Sequence, residues 1–260
     1  MKINTERIQS VKAGCISIGI FILVWYLFSR FTQLKNVLPQ PDTVFFSFIK
    51  GFIIKTGRHI ILVHAFYSLS RVLVGYIIAS VLGIFLGLLM GWNKVAEAVF
   101  QPLFRIIRPI PPIAWIPISI IWFGLGESAK YFLIFLAAFS NVTLNAWAGA
   151  RAIDTALLGA ARMLGAKRRQ LFINVVIPSS IPQIFAGLQI AMASSWATVL
   201  AAEMVRSSEG VGWMIVSGME NNDMVQILTG IVAIGIIGFI LAVIMRRLEV
   251  KLCRWNKSGQ

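Results

Sequence analysis

Residues 154–178, DTALLGAARMLGAKRRQLFINVVIP, interrupt an otherwise apolar chain with a polar and basic segment. We name it the elbow segment. Asp154 is a favourable N-cap, and Gly165 suits the left-handed residue that ends a helix. Four apolar residues share one face at helical spacing between them: Leu157, Ala160, Ala161 and Leu164. We predict a second helix from Lys167, which Pro178 stops.

The elbow segment is therefore predicted to be two short helices joined at a glycine, with an apolar face and a basic corner. A polar loop that contacts no partner has no need of such a face. The pattern predicts that the segment docks into a groove of another protein.

The chain as a whole is too apolar for a water-soluble domain. Of its 260 residues 58% are hydrophobic and 13% are charged, and the mean hydropathy is +0.81. Soluble domains contain about 45–50% apolar and about 25% charged residues. A bilayer accommodates this surplus, because each spanning helix takes about 20 residues. We predict an all-α polytopic membrane protein with about six transmembrane helices, and a large soluble catalytic domain is excluded.

Five uninterrupted apolar blocks predict simple spans, at residues 13–29, 72–92, 129–150, 182–203 and 225–245. A cleaved signal peptide is the alternative for the first block, but its length and the lack of a small-residue cleavage site favour an uncleaved helix. After this block, LPQP at 38–41 breaks any helix. Asp42 or Thr43 is then predicted to cap an amphipathic helix that runs to about Ile54. Residues 206–223 are predicted to be a polar loop.

A sixth apolar block, residues 95–123, is broken by five prolines: Pro102, Pro109, Pro111, Pro112 and Pro117. Each proline removes a backbone donor and disfavours a continuous helix. In lipid the freed carbonyls need partners, so this block should lie against protein or a water-filled path. Two interpretations stay open, the wall of a pore and a kinked packing helix. A turn is predicted at 124–127.

Glycines in the second predicted span recur every four residues, at Gly83, Gly87 and Gly91. Such a stripe is flat and predicts close packing of another helix in lipid. The alternative is the general tolerance of membrane helices for glycine.

The formal charge is +14. Its basic residues lie in short runs between apolar blocks, which favours the positive-inside bias over nucleic-acid binding. The runs at 151–169 and 248–260 are two spans apart, so both are predicted to be cytoplasmic, together with the N-terminus. Counting the spans in the same way places residues 30–71 outside the cell, despite the six basic residues there: Arg30, Lys35, Lys50, Lys55, Arg58 and Arg71.

A spacing within the elbow segment, A-A-x-x-x-G followed by nine residues and then V-x-I-P, resembles the EAA loop of inner-membrane permeases of ABC importers. The residues that carry it are Ala160, Ala161, Gly165, Val175, Ile177 and Pro178. In that family the loop forms a coupling helix in a cleft of the cytoplasmic ATPase subunit. Gly159 stands where the family has a leading Glu.

Other motifs resemble the nitrate/sulfonate/taurine/bicarbonate branch of these permeases. They are SLSRV at 68–72, RPIPPIAWIP at 108–117, WFG at 122–124, AAEM at 201–204 and EGVGW at 209–213, together with LPQP at 38–41. The resemblance implies a type I importer permease (MetI-like) fold. It places an N-terminal span and amphipathic linker at 1–65, a permease core at 66–247 with the coupling loop at 151–178, and a basic cytoplasmic tail at 248–260.

The resemblance also implies a function, the permease subunit of an ATP-driven, binding-protein-dependent importer in the bacterial inner membrane. Its partners would be a second permease copy, a cytoplasmic ATPase dimer and an extracytoplasmic binding protein, and it would work by alternating access. The first candidate cargo is taurine or another aliphatic sulfonate. The alternatives are nitrate or bicarbonate and a vitamin precursor such as a thiamine pyrimidine. No P-loop of the form G-x-x-x-x-G-K-[ST] is present, so ATP and Mg would be bound by the separate ATPase.

Two sets of site residues follow from these interpretations. The resemblance implies that ten residues contact the ATPase: Asp154, Leu157, Leu158, Gly159, Ala160, Ala161, Arg162, Leu164, Gly165 and Pro178. Eight residues are predicted to line the translocation path: Pro111, Pro112, Trp115, Ser194, Ser195, Trp196, Thr198 and Glu203. The alternative for the serines, Trp196 and Thr198 is helix packing, and for Glu203 it is pairing with Arg71 or Arg206. Arg105 and Arg108 either attract an anion or snorkel to headgroups.

Other classes of protein fit the sequence less well. An intramembrane enzyme needs clustered acids, histidines or a nucleophile within spans, and the chain has two histidines and 10 scattered acids. His59 and His64 are five residues apart, which predicts no metal site. A self-contained channel calls for a ring-forming polar span, not an amphipathic loop. Cys15 and Cys253 fall in different environments, so no disulfide is predicted.

Overall fold

The computed structural model describes residues 2–31 and 37–253. Lys35 and the tail residues Arg254 and Lys257, which enter the charge count, lie outside them. Eleven α-helices are described: α1 Lys2–Phe31, α2 Pro41–Lys50, α3 Ile61–Trp92, α4 Lys94–Ile107, α5 Ile116–Phe123, α6 Glu127–Arg151, α7 Thr155–Met163, α8 Arg168–Leu171, α9 Ile177–Arg206, α10 Val211–Glu220 and α11 Met224–Leu252. A 3₁₀ turn at Pro112–Trp115 precedes α5, and a π-helical turn at Phe172–Val176 joins α8 to α9.

Five of these helical stretches are long and apolar enough to cross a membrane: Lys12–Phe31, Ile61–Trp92, Glu127–Arg151, Arg168–Val205 and Met224–Leu252. A sixth candidate is the broken pair Lys94–Ile107 and Pro112–Phe123, bent by 86°. The predicted all-α fold with about six spans is therefore confirmed, and the break falls within the proline-rich block. Gly124, at φ +75°, forms the predicted turn before α6.

The prediction for the start and end of α2 was wrong. The helix begins at Pro41 and ends at Lys50, one turn short of Ile54. Proline is favoured at the first helical position because its φ is already helical and its missing N–H would be unpaired there. The Asp42 carboxylate accepts from its neighbour Thr43, from the N–H at 2.8 Å and the hydroxyl at 3.5 Å. Gly51 then packs against Ile61, whose N–H donates to the Gly51 carbonyl at 2.9 Å.

Two further boundaries differ from those predicted. α3 starts at Ile61, eleven residues before the predicted span, because the polar side chains of its first turns are buried and hydrogen-bonded. The predicted polar loop at 206–223 contains α10, whose first residue, Val211, is buried.

Pro178 does not end a helix, contrary to the prediction. The chain stays helical from α8 through the π turn into α9, where Pro178 occupies the first turn. A π turn interrupts the i→i−4 hydrogen-bond ladder. Pro178 is the second residue of α9, and proline is tolerated in the first turn of a helix.

The chain forms two compact units, the described residues of Met1–Val63 with Met214–Ala233, and those of His64–Trp213 with Ile234–Gln260. In the first unit, the Trp25 indole N–H donates to the Pro39 carbonyl at 3.1 Å, which fixes the chain after α1. The Gln226 side-chain amide donates to the Met214 carbonyl at 2.9 Å and ties α11 to α10.

The second unit is built on close contact between α3 and α6, which run parallel. A methyl group at Gly75 would lie 2.7 Å from Ile134, and one at Gly83 would lie 3.1 Å from Val142. Gly87 and Gly91 meet Ala146 and Ala150 in the same register: a methyl group at Gly87 would lie 2.6 Å from the Ala146 side chain. The predicted glycine stripe is confirmed, and the helix that packs on it is α6.

α9 packs antiparallel on α6 in this second unit. Gly187 of α9 faces Asn145, and Gly149 of α6 faces Ser180 and Gln183. A buried apolar core fills the space between the long helices, and its members include Val72, Ile134, Trp196 and Met245. This packing fixes the two ends of α6. The three candidate sites described below lie along this helix, one at each end and one in the middle.

Candidate functional site

The elbow segment is shaped by two capping motifs. The Asp154 carboxylate accepts the Ala156 N–H at 2.8 Å, as predicted, and α7 follows. At the other end, Gly165 has φ +83°. Its N–H donates to the Arg162 carbonyl at 2.9 Å, and the Ala166 N–H donates to the Ala161 carbonyl at 3.1 Å. This is a Schellman end with glycine in the left-handed position, and it turns the chain sharply.

α7 is anchored on one side and open on the other. Leu158 packs against a buried apolar cluster at the end of α6 that includes Ala150, Val176 and Ile184. The side chains of Met163 and Leu164 are 86% and 89% exposed, and Leu157 is also exposed. The loop therefore presents large apolar groups outward from a fixed base, as a docking surface requires.

The remaining elbow residues lie around this exposed face. Gly159 has open space beside it, since a methyl group there would meet no atom within 4 Å. A side chain at that position would fit this chain without a clash. Arg162 lines a hollow next to the elbow with Trp92 and Arg168, and the Arg168 guanidinium lies 5.9 Å from the Trp92 ring centre. Pro178 lies away from this face, in the first turn of α9.

An ionic cluster, formed by buried Arg71, Lys130 and Glu203 with exposed Glu127, joins α3, α6 and α9 at the opposite end of α6. Both carboxylate oxygens of Glu203 accept from the Ser68 hydroxyl at 2.8 Å. Arg71 Nη1 donates to Glu203 Oε1 at 2.8 Å. Of the two pairings foreseen for Glu203, the one with Arg71 is therefore present. The Arg206 side chain lies outside the described part of the chain.

The other edge of the Arg71 guanidinium binds Glu127. Nε and Nη2 donate to the two carboxylate oxygens at 2.6 and 2.8 Å, and Lys130 Nζ donates to Glu127 at 2.9 Å. Bidentate arginine–carboxylate pairs are strong and directional. Two cations and two carboxylates give the ionic cluster no net charge.

The ionic cluster also fixes the backbone of residues 209–212. Gly212 N–H donates to Glu203 Oε2 at 3.0 Å. Three more contacts hold this loop: Arg71 Nη1 to the Glu209 carbonyl at 2.9 Å, the Gly210 N–H to His64 Nδ1 at 3.1 Å, and the Val211 N–H to Ser68 Oγ at 2.9 Å. The His64 ring stacks on Trp213 with centres 5.2 Å apart. The cluster therefore ties three long helices to the start of α10.

Replacement of Gly210 by alanine is expected to destabilise the protein. Its φ of +115° disfavours a side chain, and the added methyl group would collide with the Glu203 carboxylate. Residues forced into such a conformation cost about 1–3 kcal/mol. Gly126→Ala is the control, because Gly126 also precedes a helix but a methyl group added there would meet no atom within 4 Å. Equal thermal unfolding midpoints for the two variants would contradict this account.

A third site, the polar cleft, lies between the broken helix and the middle of α6 and α9. Its cavity has a volume of about 160 Å³. Its polar and aromatic lining residues are Arg108, Trp115, Ser140, Asn141 and Ser194, with Pro112 beside them. Phe104 near the end of α4 stacks against Phe139 at 5.7 Å, which holds the break next to α6.

The structure brings together three of the eight predicted path residues, Pro112, Trp115 and Ser194, in the polar cleft. Pro111 is exposed beside it. Trp196 and Ser195 are buried, and Trp196 belongs to the apolar core. The Thr198 hydroxyl bonds to the Ser194 carbonyl at 2.8 Å. Glu203 lies in the ionic cluster.

The site residues missed from sequence include Glu127 and Lys130 of the ionic cluster and two further pairs of polar residues. Ser68 and His64 bind the loop at 209–212, and Ser140 and Asn141 line the polar cleft. A usable signal existed for the second pair, since adjacent polar residues in the middle of an apolar span are costly unless they serve a purpose. His64 and Ser68, four residues apart on α3, share one helix face with Arg71, which is a weaker signal.

Known proteins share this architecture. The family described as binding-protein-dependent transport system inner membrane component matches residues 79–252. The chain belongs to this family. It is an ABC importer permease, a transport subunit of a membrane system and not itself an enzyme.

Two relatives differ in how much of the chain they match. The taurine transport system permease protein TauC of Escherichia coli is 32% identical over 94% of this chain and 90% of that protein. The nitrate import permease protein NrtB of Synechocystis is 34% identical over 69% of this chain and 65% of that protein.

The fold has a solved counterpart. A chain of the MetNI methionine ABC transporter, in inward-facing conformations, matches with a TM-score of 0.65 and 19% identity, over 74% of this chain and 96% of that chain. The predicted type I importer permease fold is confirmed.

Proposed function

We propose that this permease imports taurine or another aliphatic sulfonate. The observation that carries the proposal is similarity to the taurine permease TauC along almost the whole chain, whereas the match to the nitrate permease NrtB covers about two thirds of it. Nitrate or bicarbonate, and a vitamin precursor such as a thiamine pyrimidine, are the alternative cargoes.

The elbow segment is the proposed coupling helix. Its exposed apolar residues, Leu157, Met163 and Leu164, would enter a groove of the ATPase subunit, in the manner of an amphipathic helix in a groove. The capped base formed by Asp154 and Gly165 supports this role, because transmission of movement to α6 and α9 needs a stiff connection. ATP and Mg would be bound by the ATPase, and its closure would shift the permease between inward-open and outward-open states.

The proposed assembly is a pair of permeases on an ATPase dimer, supplied by an external binding protein. The elbow segment and both termini would face the cytoplasm.

Uptake into proteoliposomes tests the cargo. The permease is reconstituted with its ATPase and binding protein, and accumulation of radiolabelled taurine is followed with and without ATP. We expect ATP-dependent uptake that an excess of an unlabelled alkanesulfonate abolishes and an excess of nitrate leaves unchanged. ATP-dependent uptake of nitrate, bicarbonate or a thiamine pyrimidine in place of taurine would refute the proposed cargo, while leaving the importer assignment intact.

A further inference from the structure

We propose that the polar cleft is an anion-binding station within the permease, with Arg108 as its cation and Ser140, Asn141 and Ser194 as neutral hydrogen-bonding groups. This inference rests on the proposed function only in that the cargo is an anion. Ligand sites are commonly concave, with a few convergent polar groups, and the cleft has both features, with a cavity volume of about 160 Å³.

The depth of the cleft is the first argument. Asn141 lies about 21 Å along α6 from its first residue and about 15 Å from its last, at 1.5 Å per residue. The hydrocarbon core of a bilayer is about 30 Å thick. The cleft is thus near the middle of the span, where an arginine is costly and indicates a binding or transport role.

The second argument is the charge of Arg108. Among the described residues, no carboxylate forms an ion pair with it and none of the residues that line the cleft is acidic. By contrast, Arg71 and Arg151 are each paired with a glutamate. A guanidinium without a protein counter-ion at this depth is best stabilised by an anion that arrives from outside the chain.

The third argument is the supply of hydrogen-bonding groups around Arg108. The buried Ser140 hydroxyl has no partner among the described residues. One hydrogen of the Asn141 amide bonds to the Ala137 carbonyl at 2.8 Å, which leaves the other free to donate. A sulfonate offers three acceptor oxygens, of which two match the fork of a guanidinium. The ring of Trp115 and the Pro112 side chain supply an apolar wall for the carbon chain.

Cysteine modification tests this inference on the whole importer complex. The background has Cys15 and Cys253 replaced by serine, and the reporter is Ser140→Cys. Its modification rate is measured with an anionic and with a cationic methanethiosulfonate of similar size. We expect Arg108→Gln to lower the ratio of anionic to cationic rates by about tenfold, as removal of one nearby charge requires. Arg105→Gln, one turn earlier on the same helix but outside the cleft, should leave the ratio unchanged.

A second reporter, Ser194→Cys, covers the case in which Ser140→Cys does not assemble. A cleft cysteine that neither reagent modifies, or equal ratios in the Arg108 and Arg105 variants, would overturn the inference. Taurine should also protect the reporter from modification when it is the cargo. A ratio that depends on Arg108, with protection by nitrate and not by taurine, would support the anion station and refute the sulfonate cargo.

Discussion

Replacement of Leu164 by aspartate is expected to separate this permease from its ATPase and to reduce uptake by about 30-fold or more. The side chain is 89% exposed at the tip of the elbow segment, so an apolar-to-charged change there leaves the fold intact. In a docked groove the same carboxylate would be desolvated without a partner. Loss of a central interface contact costs about 2 kcal/mol or more, which corresponds to about 30-fold in affinity.

The measurement is co-purification of the ATPase with the tagged permease, alongside ATP-driven uptake. Leu164→Met keeps an apolar group of similar volume and should retain both activities. Thr155→Asp places the same charge at the start of α7, where an acidic residue favours the helix, and should assemble normally. An unchanged yield of ATPase with Leu164→Asp would show that the ATPase binds elsewhere.

Local signals made the shape of the elbow segment predictable. Asp154 and Gly165 each act within a few residues of themselves, through a side-chain cap and a left-handed backbone. Pro178 misled because proline is a weak stop signal in this chain: Pro102 and Pro182 also lie within helices. The π turn before Pro178, at Phe172–Val176, has no sequence pattern that marks it.

Contacts between distant residues were not predictable in the same way. Arg71 and Glu203 are 132 residues apart, and the sequence offered Arg206 as an equally suitable partner. The glycine stripe predicted a flat surface on α3 but did not indicate that α6 is the helix that packs on it. Ser140 and Asn141 carried a usable signal as polar residues within an apolar span, but the sequence did not indicate that the break near Arg108 lies beside them.

Replacement of Glu203 by alanine is expected to produce the largest loss of stability. The Glu203 side chain is fully buried, and its removal takes the acceptor from the Ser68 hydroxyl, the Gly212 N–H and one of the two Arg71 Nη1 hydrogens. Breaking a buried ion pair on one side costs about 3–5 kcal/mol. Thermal unfolding of the purified complex should therefore occur at a much lower temperature. Glu220→Ala, an exposed acid on α10, is the control and should unfold at the temperature of the unmodified permease.

A double variant tests whether the instability of Glu203→Ala comes from the charge of Arg71 that the substitution leaves unpaired. Arg71→Met with Glu203→Leu removes both buried charges and keeps apolar volume, while Glu127 retains Lys130 as its partner at 2.9 Å. Because a buried pair can often be exchanged for apolar side chains at little cost, the double variant should recover most of the stability lost in Glu203→Ala. If the double variant is stable but does not transport the cargo, the role of the ionic cluster is to order residues 209–212. A double variant as unstable as Glu203→Ala would instead show that the hydrogen bonds to Ser68 and Gly212, and not the charge pair, hold the three helices together.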